Sequence, residues 1–172
     1  MRWAIDSLVA IMISGVVAGV MLYYRTTEQE DQNREVLRGD VIRFNNEVIL
    51  QSALGRVDVS IRGFPTTIDP EWFSVENGDL PENPLLDGTH PWLEIAGIAQ
   101  ADLTHPPVRV GTDSTSAKFW YNPFTGNVRA RVPAGLSDAE TLELYNYVNS
   151  SDLTDLFAPR TLSDELAIAE GN

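Results

Sequence analysis

The chain has no cysteine, a single lysine (Lys118) and no proline ahead of Pro65. The first absence removes disulfides and thiolate zinc sites, and leaves the redox compartment open. The second belongs to a wider shortage of positive charge, since twelve basic residues face 25 acidic ones and the formal net charge is −13. A surface this acidic repels phosphate backbones, which argues against nucleic acid as a partner. Catalytic fingerprints are missing too: there is no P-loop, GxSxG, HExxH or glycine-rich dinucleotide motif. The expectation is a protein that is not an enzyme and that uses no cofactor and no metal.

The lack of early proline leaves room for one long helix. Ser7 to Tyr24 is a run of uncharged, mostly apolar residues headed by Asp6. At 1.5 Å per residue it extends roughly 27 Å, close to the hydrocarbon thickness of a bilayer. The run exceeds the apolar core of a signal peptide and no small-x-small cleavage pattern follows it, so it reads as an uncleaved anchor over 1–25. Trp3 at one end and Tyr23 and Tyr24 at the other suit the two interfaces. Membrane lipid is thus the first expected partner.

Beyond the anchor, Leu37, Val41, Phe44 and Val48 recur at steps of four, three and four, the mark of an amphipathic helix. That segment, 26–54, continues the anchor, and the simplest reading is one helix from about Trp3 to Ala53, with Gly55 as its stop. Residues 55–157 form the head. Val57, Val59 and Ile61 alternate as a half-buried strand does, and a proline-rich stretch from Pro65 to Pro91 follows. "PWLEIAGIA" supplies a short strand. "AKFWYNPFTGNVRARVP" reads as a hairpin turning at "NPFTG". Ser137 and Glu140 stand at capping-box spacing before a helix carrying Leu142, Tyr145 and Val148. The tail, 158–172, is weakly patterned apart from a short helix in "SDELAIAE". The fold class expected is α+β: a long N-terminal transmembrane and amphipathic helix, then a small antiparallel sheet.

This order resembles the type IV pilins and the pseudopilins of type II secretion. Asp6 stands where those families carry an early glutamate, Gly15 where many have a glycine, and "FWYNPFTGNVRARVP" is similar to their Y-x-P-x-x-G-x-[VI] hairpin. The chain lacks a basic leader ending in glycine, so the resemblance implies an atypical or unprocessed member. It also implies a pilin-like fold and a structural subunit in the inner membrane, with its head outside the cytoplasm. Such a subunit packs through its N-terminal helix with copies of itself or other membrane subunits. The alternative is an accessory single-pass subunit of a large membrane complex.

The residues expected to carry that packing are Asp6, Arg2, Gly15, Gly19, Ser14 and Ala18. A carboxylate in lipid gains by pairing with a cation such as Arg2 on a neighbour. Gly15 and Gly19 lie four apart and, with Ser14 and Ala18, make a rough stripe of small side chains that lets backbones approach closely. Other groups read as bland. His90 and His105, each followed by proline, are expected as exposed turn residues. Asp79, Glu82 and Asp87 lack the dense alternation of a calcium loop, and Asp69 and Glu71 flank an aromatic pair in "TIDPEWF" without forming an acid–base site.

Overall fold

The computed structural model of the chain describes the backbone of residues 2–73 and 79–170, and side-chain surroundings from residue 15 onward except at 26, 165, 169 and 170. It divides into two compact units, Met1–Asn33 and Arg34–Asn172.

Helix α1 runs Arg2–Leu54, 53 residues without interruption. Nothing in that stretch forces a break, and the stop is Gly55, whose φ of +61° is the left-handed turn a glycine adopts most readily. Among the described residues no helix is long and apolar enough to cross a membrane. The part of the apolar run with described side chains, Gly15 to Tyr24, extends only about 15 Å, half of the bilayer core. The remainder of the run and Asp6 fall in 1–14, outside the described side chains.

In the second unit the periodic residues of α1 behave as their spacing predicts. Leu37, Val41, Phe44 and Val48 are buried in one core with Phe119, Tyr121, Val128, Ala130, Val132, Tyr145 and Val148. The sheet has three strands in the order β1 (Leu93–Ile95), β2 (Phe119–Tyr121) and β3 (Val128–Ala130). The hairpin is as expected: β2 and β3 are antiparallel, with Phe119 opposite Ala130 and Tyr121 opposite Val128. Gly126 closes its turn at φ +75°, and a Cβ there would overlap the Phe64 ring. Only glycine fits.

Two expectations need correction. The sheet is mixed rather than antiparallel, because β1 joins β2 in parallel, Leu93 beside Phe119. Residues 96–118 between them are long enough to carry the chain back to the same end of the sheet, which a parallel pair requires. Second, Val57, Val59 and Ile61 do not form a strand. Only Val59 pairs, with Pro65, and Ile61 is 94% exposed. The amide of Gly63, at φ +88°, donates to Ser60 O at 2.9 Å, so the chain reverses before a strand can extend.

With strands of three residues each, side chains satisfy many backbone groups that a larger sheet would pair. The outer edge of β3 shows how. Asn45 on α1 accepts from Val128 N at 3.0 Å and donates to Val128 O at 3.2 Å. Asn149 does the same for Ala130, at 2.7 and 2.9 Å. Two carboxamides thus stand in for a fourth strand and close an edge that is otherwise open to another chain. Arg131, almost fully buried, donates to the carbonyls of Val108 and Ala117 at 2.9 Å each and to the Glu94 carboxylate at 2.6 Å. Asn122 ties Gln100 O and Leu103 O to the hairpin turn at 2.9 and 2.7 Å. These bonds hold the loops.

Helix α2 (Asp138–Asn149) starts as its sequence promises, with the Ser137 hydroxyl accepting from Glu140 N at 3.2 Å. Glu140 reaches back one residue further than in a capping box, to Leu136 N at 2.9 Å. Ser137→Ala is expected to cost about 1 kcal/mol, measured as a lowered denaturation midpoint. Leu162–Glu170 forms the short terminal helix α3.

Candidate functional site

In the described part of α1 in the first unit every side chain but that of Asn33 is exposed, apolar ones foremost. Val16, Val17, Val20, Met21, Leu22, Tyr23 and Tyr24 are all exposed, from 47% for Val17 to 70% for Tyr23. Consecutive residues of a helix point to all its sides, so this surface is apolar all round. Such a helix is at home among lipid or other helices, not in water. Ala18 lies on it, exposed. A Cβ added to Gly15 or Gly19 meets nothing within 4 Å. Among the described residues no crowding therefore requires either glycine. The backbones of Arg2, Asp6 and Ser14 are helical, but their side chains lie outside the described residues. The pairing expected of Asp6 and Arg2 rests on sequence alone.

In the second unit α1 carries apolar residues on the side away from the core as well. Val36, Ile42, Ile49, Leu50 and Leu54 are exposed. Gly39 lies among them, and a methyl group placed on its Cα again meets nothing within 4 Å. A mid-helix glycine costs up to about 1 kcal/mol against alanine. Gly39→Ala is accordingly expected to stabilise the head by about 0.5–1 kcal/mol, read from a urea denaturation midpoint.

The groups judged bland in the sequence are not all placed as expected. Neither histidine is an exposed turn residue. His90 is half-buried, with Nδ1 2.8 Å from Ser116 O. His105 is buried, its Nδ1 3.0 Å from the Tyr145 hydroxyl. Burial, then the charges of Arg129, Arg109 and Arg160, push its pKa down to about 2. Burial likewise pushes the Tyr145 phenol up. Both rings stay neutral near pH 7, and no sequence pattern announced their pairing.

Among the described residues no cluster of three or more metal-ligating side chains occurs. Asp79 and Glu82 line an open groove of about 640 Å³ with Glu35, Asp40 and Arg43. Asp40 is engaged there, accepting from Arg43 at 2.9 Å and from Glu82 N at 2.8 Å. Asp87 is spent on its own turn, accepting from the Thr89 hydroxyl and from Thr89 N at 2.9 Å, bonds that hold its carboxyl below the usual range. Asp69 accepts from Glu71 N at 2.9 Å and so starts the single turn Pro70–Phe73. The two carboxylates do not form an acid–base pair. Phe119, Trp120 and Tyr121 are fully buried core, with Trp120 Nε1 donating to Gln100 at 3.1 Å and the Tyr121 hydroxyl to Pro65 O at 2.7 Å.

No family model, curated protein or solved structure matches this chain. The exposed apolar length of α1 is the feature with the plainest functional meaning.

Proposed function

We propose that the protein is a membrane-anchored assembly subunit, pseudopilin-like in organisation, that packs through its N-terminal helix. The reading rests on one observation: α1 presents seven large apolar side chains between Val16 and Tyr24, all exposed. Each buried valine, leucine or methionine is worth about 1.5–3 kcal/mol relative to water, so a surface of this kind demands a cover. Lipid supplies part of it, and neighbouring helices, drawn close at Gly15, Ala18 and Gly19, supply the rest. The sequence adds the apolar residues from Ser7 to Ser14, which bring the run to bilayer length. By the pilin resemblance the anchor lies in the inner membrane and the acidic head outside the cytoplasm.

The test is made on the full chain in its cell membrane. Alkaline carbonate is expected to leave the wild-type protein in the pellet, and native mass in mild detergent is expected to exceed that of a monomer. Val20→Asp places a charge in the packed surface and is expected to lower that mass to a monomer's. Asp6→Ala is expected to stay in the membrane while losing its partner subunits. A protein released by alkali sinks the reading.

A further inference from the structure

The second unit contains a cavity that the assembly reading does not use. It measures about 350 Å³ and lies among residues 107–112, the turn at 134–138 that leads into α2, and residues 156–157. This is the size range of small-molecule sites. Val108, Val110, Leu136, Leu156 and Phe157 give it apolar walls. Three of these also stand out around it: Leu136 is 99% exposed, Phe157 66% and Val108 52%. Large apolar side chains left in water around one concave surface mark a place where something binds.

Arg109 specifies the charge of that ligand. It lines the cavity and is itself only 2% exposed. Its guanidinium donates to the carbonyls of Asp155, Leu156 and Ala158, the last at 2.6 Å, and sits 5.9 Å from the centre of the Tyr145 ring. Its Nε–H is buried without a partner. Among the described residues no carboxylate forms an ion pair with it. Asp155 spends Oδ1 on the amides of Phe157 at 2.8 Å and Ala158 at 3.3 Å. The Asp155 charge acts on the guanidinium through space without an ion pair, and burial outweighs it and the Tyr145 contact, so the cation is incompletely compensated. Asp138 also borders the cavity, but it is exposed and its charge is screened. In a chain with a net charge of −13, an incompletely compensated buried arginine beside an apolar cavity has a clear complement.

We propose that this cavity binds a small molecule with an apolar body and a single carboxylate, the body between Val108, Val110, Leu136 and Leu156 and the carboxylate set against Arg109. The apolar part gains by leaving water, and the anion adds negative charge beside the buried guanidinium, whose burial outweighs the compensation it now has. None of the residues that line the site belongs to α1.

The probe is 3-phenylpropionate, titrated into the full chain in phosphatidylcholine nanodiscs and followed by the methyl resonances of the protein. Saturable shifts at the Val108, Val110 and Leu156 methyls are expected, with a Kd below about 1 mM. The uncharged 3-phenylpropan-1-ol, of the same shape, is expected to bind at least about tenfold more weakly. Arg109→Met removes the charge but also frees three carbonyls, so the fold itself is at risk in that variant. Thr112→Trp avoids this: Thr112 is exposed at the cavity wall, and a tryptophan there fills the space. It is expected to keep the wild-type methyl dispersion and lose the shifts. Absence of saturation, equal binding of the alcohol, or undiminished binding to Thr112→Trp overturns the proposal.

Discussion

Phe44→Ala is expected to lower the stability of the head by about 3–5 kcal/mol, against the roughly 5–15 kcal/mol typical of a whole domain. Phe44 is fully buried on α1 and touches three other rings. It stacks on Trp92 at 5.5 Å with the planes 3° apart, and meets Phe73 and Phe119 edge-on at 5.1 and 5.6 Å. Those rings come from the loop, from the approach to strand β1 and from β2, so this one side chain joins the helix to the parts of the head with least regular structure. The loss includes both transferred area and a cavity that short strands and loops bonded through side chains cannot collapse to fill. A urea midpoint measured on the detergent-solubilised full chain checks it. A change below about 1 kcal/mol would mean that the rings do not pack as described.

Acidification is expected to destabilise the head through His105. In the unfolded chain the imidazole takes a proton near pH 6.5, whereas in the folded one its pKa is pushed down to about 2. Below pH 6.5 the unfolded state therefore binds more protons, and stability rises with pH across that window. At pH 7.5 the contribution is essentially absent. By pH 5 it costs about 2 kcal/mol, since each unit is worth about 1.4 kcal/mol. Arg129, Arg109 and Arg160 are cations that oppose protonation of the ring, and Tyr145 offers it a neutral hydroxyl. The carboxyls whose ranges are lowered, Asp87, Asp113 and Asp164, titrate below this interval and do not mask it. His105→Gln is expected to flatten the stability profile between pH 7.5 and 5. An equal slope in that variant would place the acid sensitivity elsewhere.

How far the sequence foretold this molecule depends on whether local pattern or distant contact decided each part. Helix α1 was legible because its apolar spacing is periodic and no proline interrupts it. The β2–β3 hairpin was legible because "NPFTG" can hardly do anything but turn. The Val57–Ile61 alternation misled, since Gly63 and Pro65 reverse the chain within a few residues and leave Ile61 in water. The parallel pairing of β1 was hidden because it depends on where residues 96–118 deliver the chain. His105 was misjudged for a similar reason. A histidine before a proline looks like a turn residue, and only the fold brings Tyr145 and three arginines around it. The carboxamides that cover β3 and the buried Arg109 carry no periodicity at all. Their role is set by the carbonyls they meet, which lie far away in sequence.

The absence of cysteine allows the central claim to be tested with single reporters. Cysteines placed one at a time from Val16 to Tyr24, with Glu143→Cys at an exposed position of α2 as control, are oxidised in intact membranes and scored for disulfide-linked products. Packing through α1 predicts strong cross-linking that rises and falls about every 3.6 residues, highest beside Gly15 and Gly19, and none above background at position 143. Uniformly low yields along the helix, equal to that of the control, would contradict it.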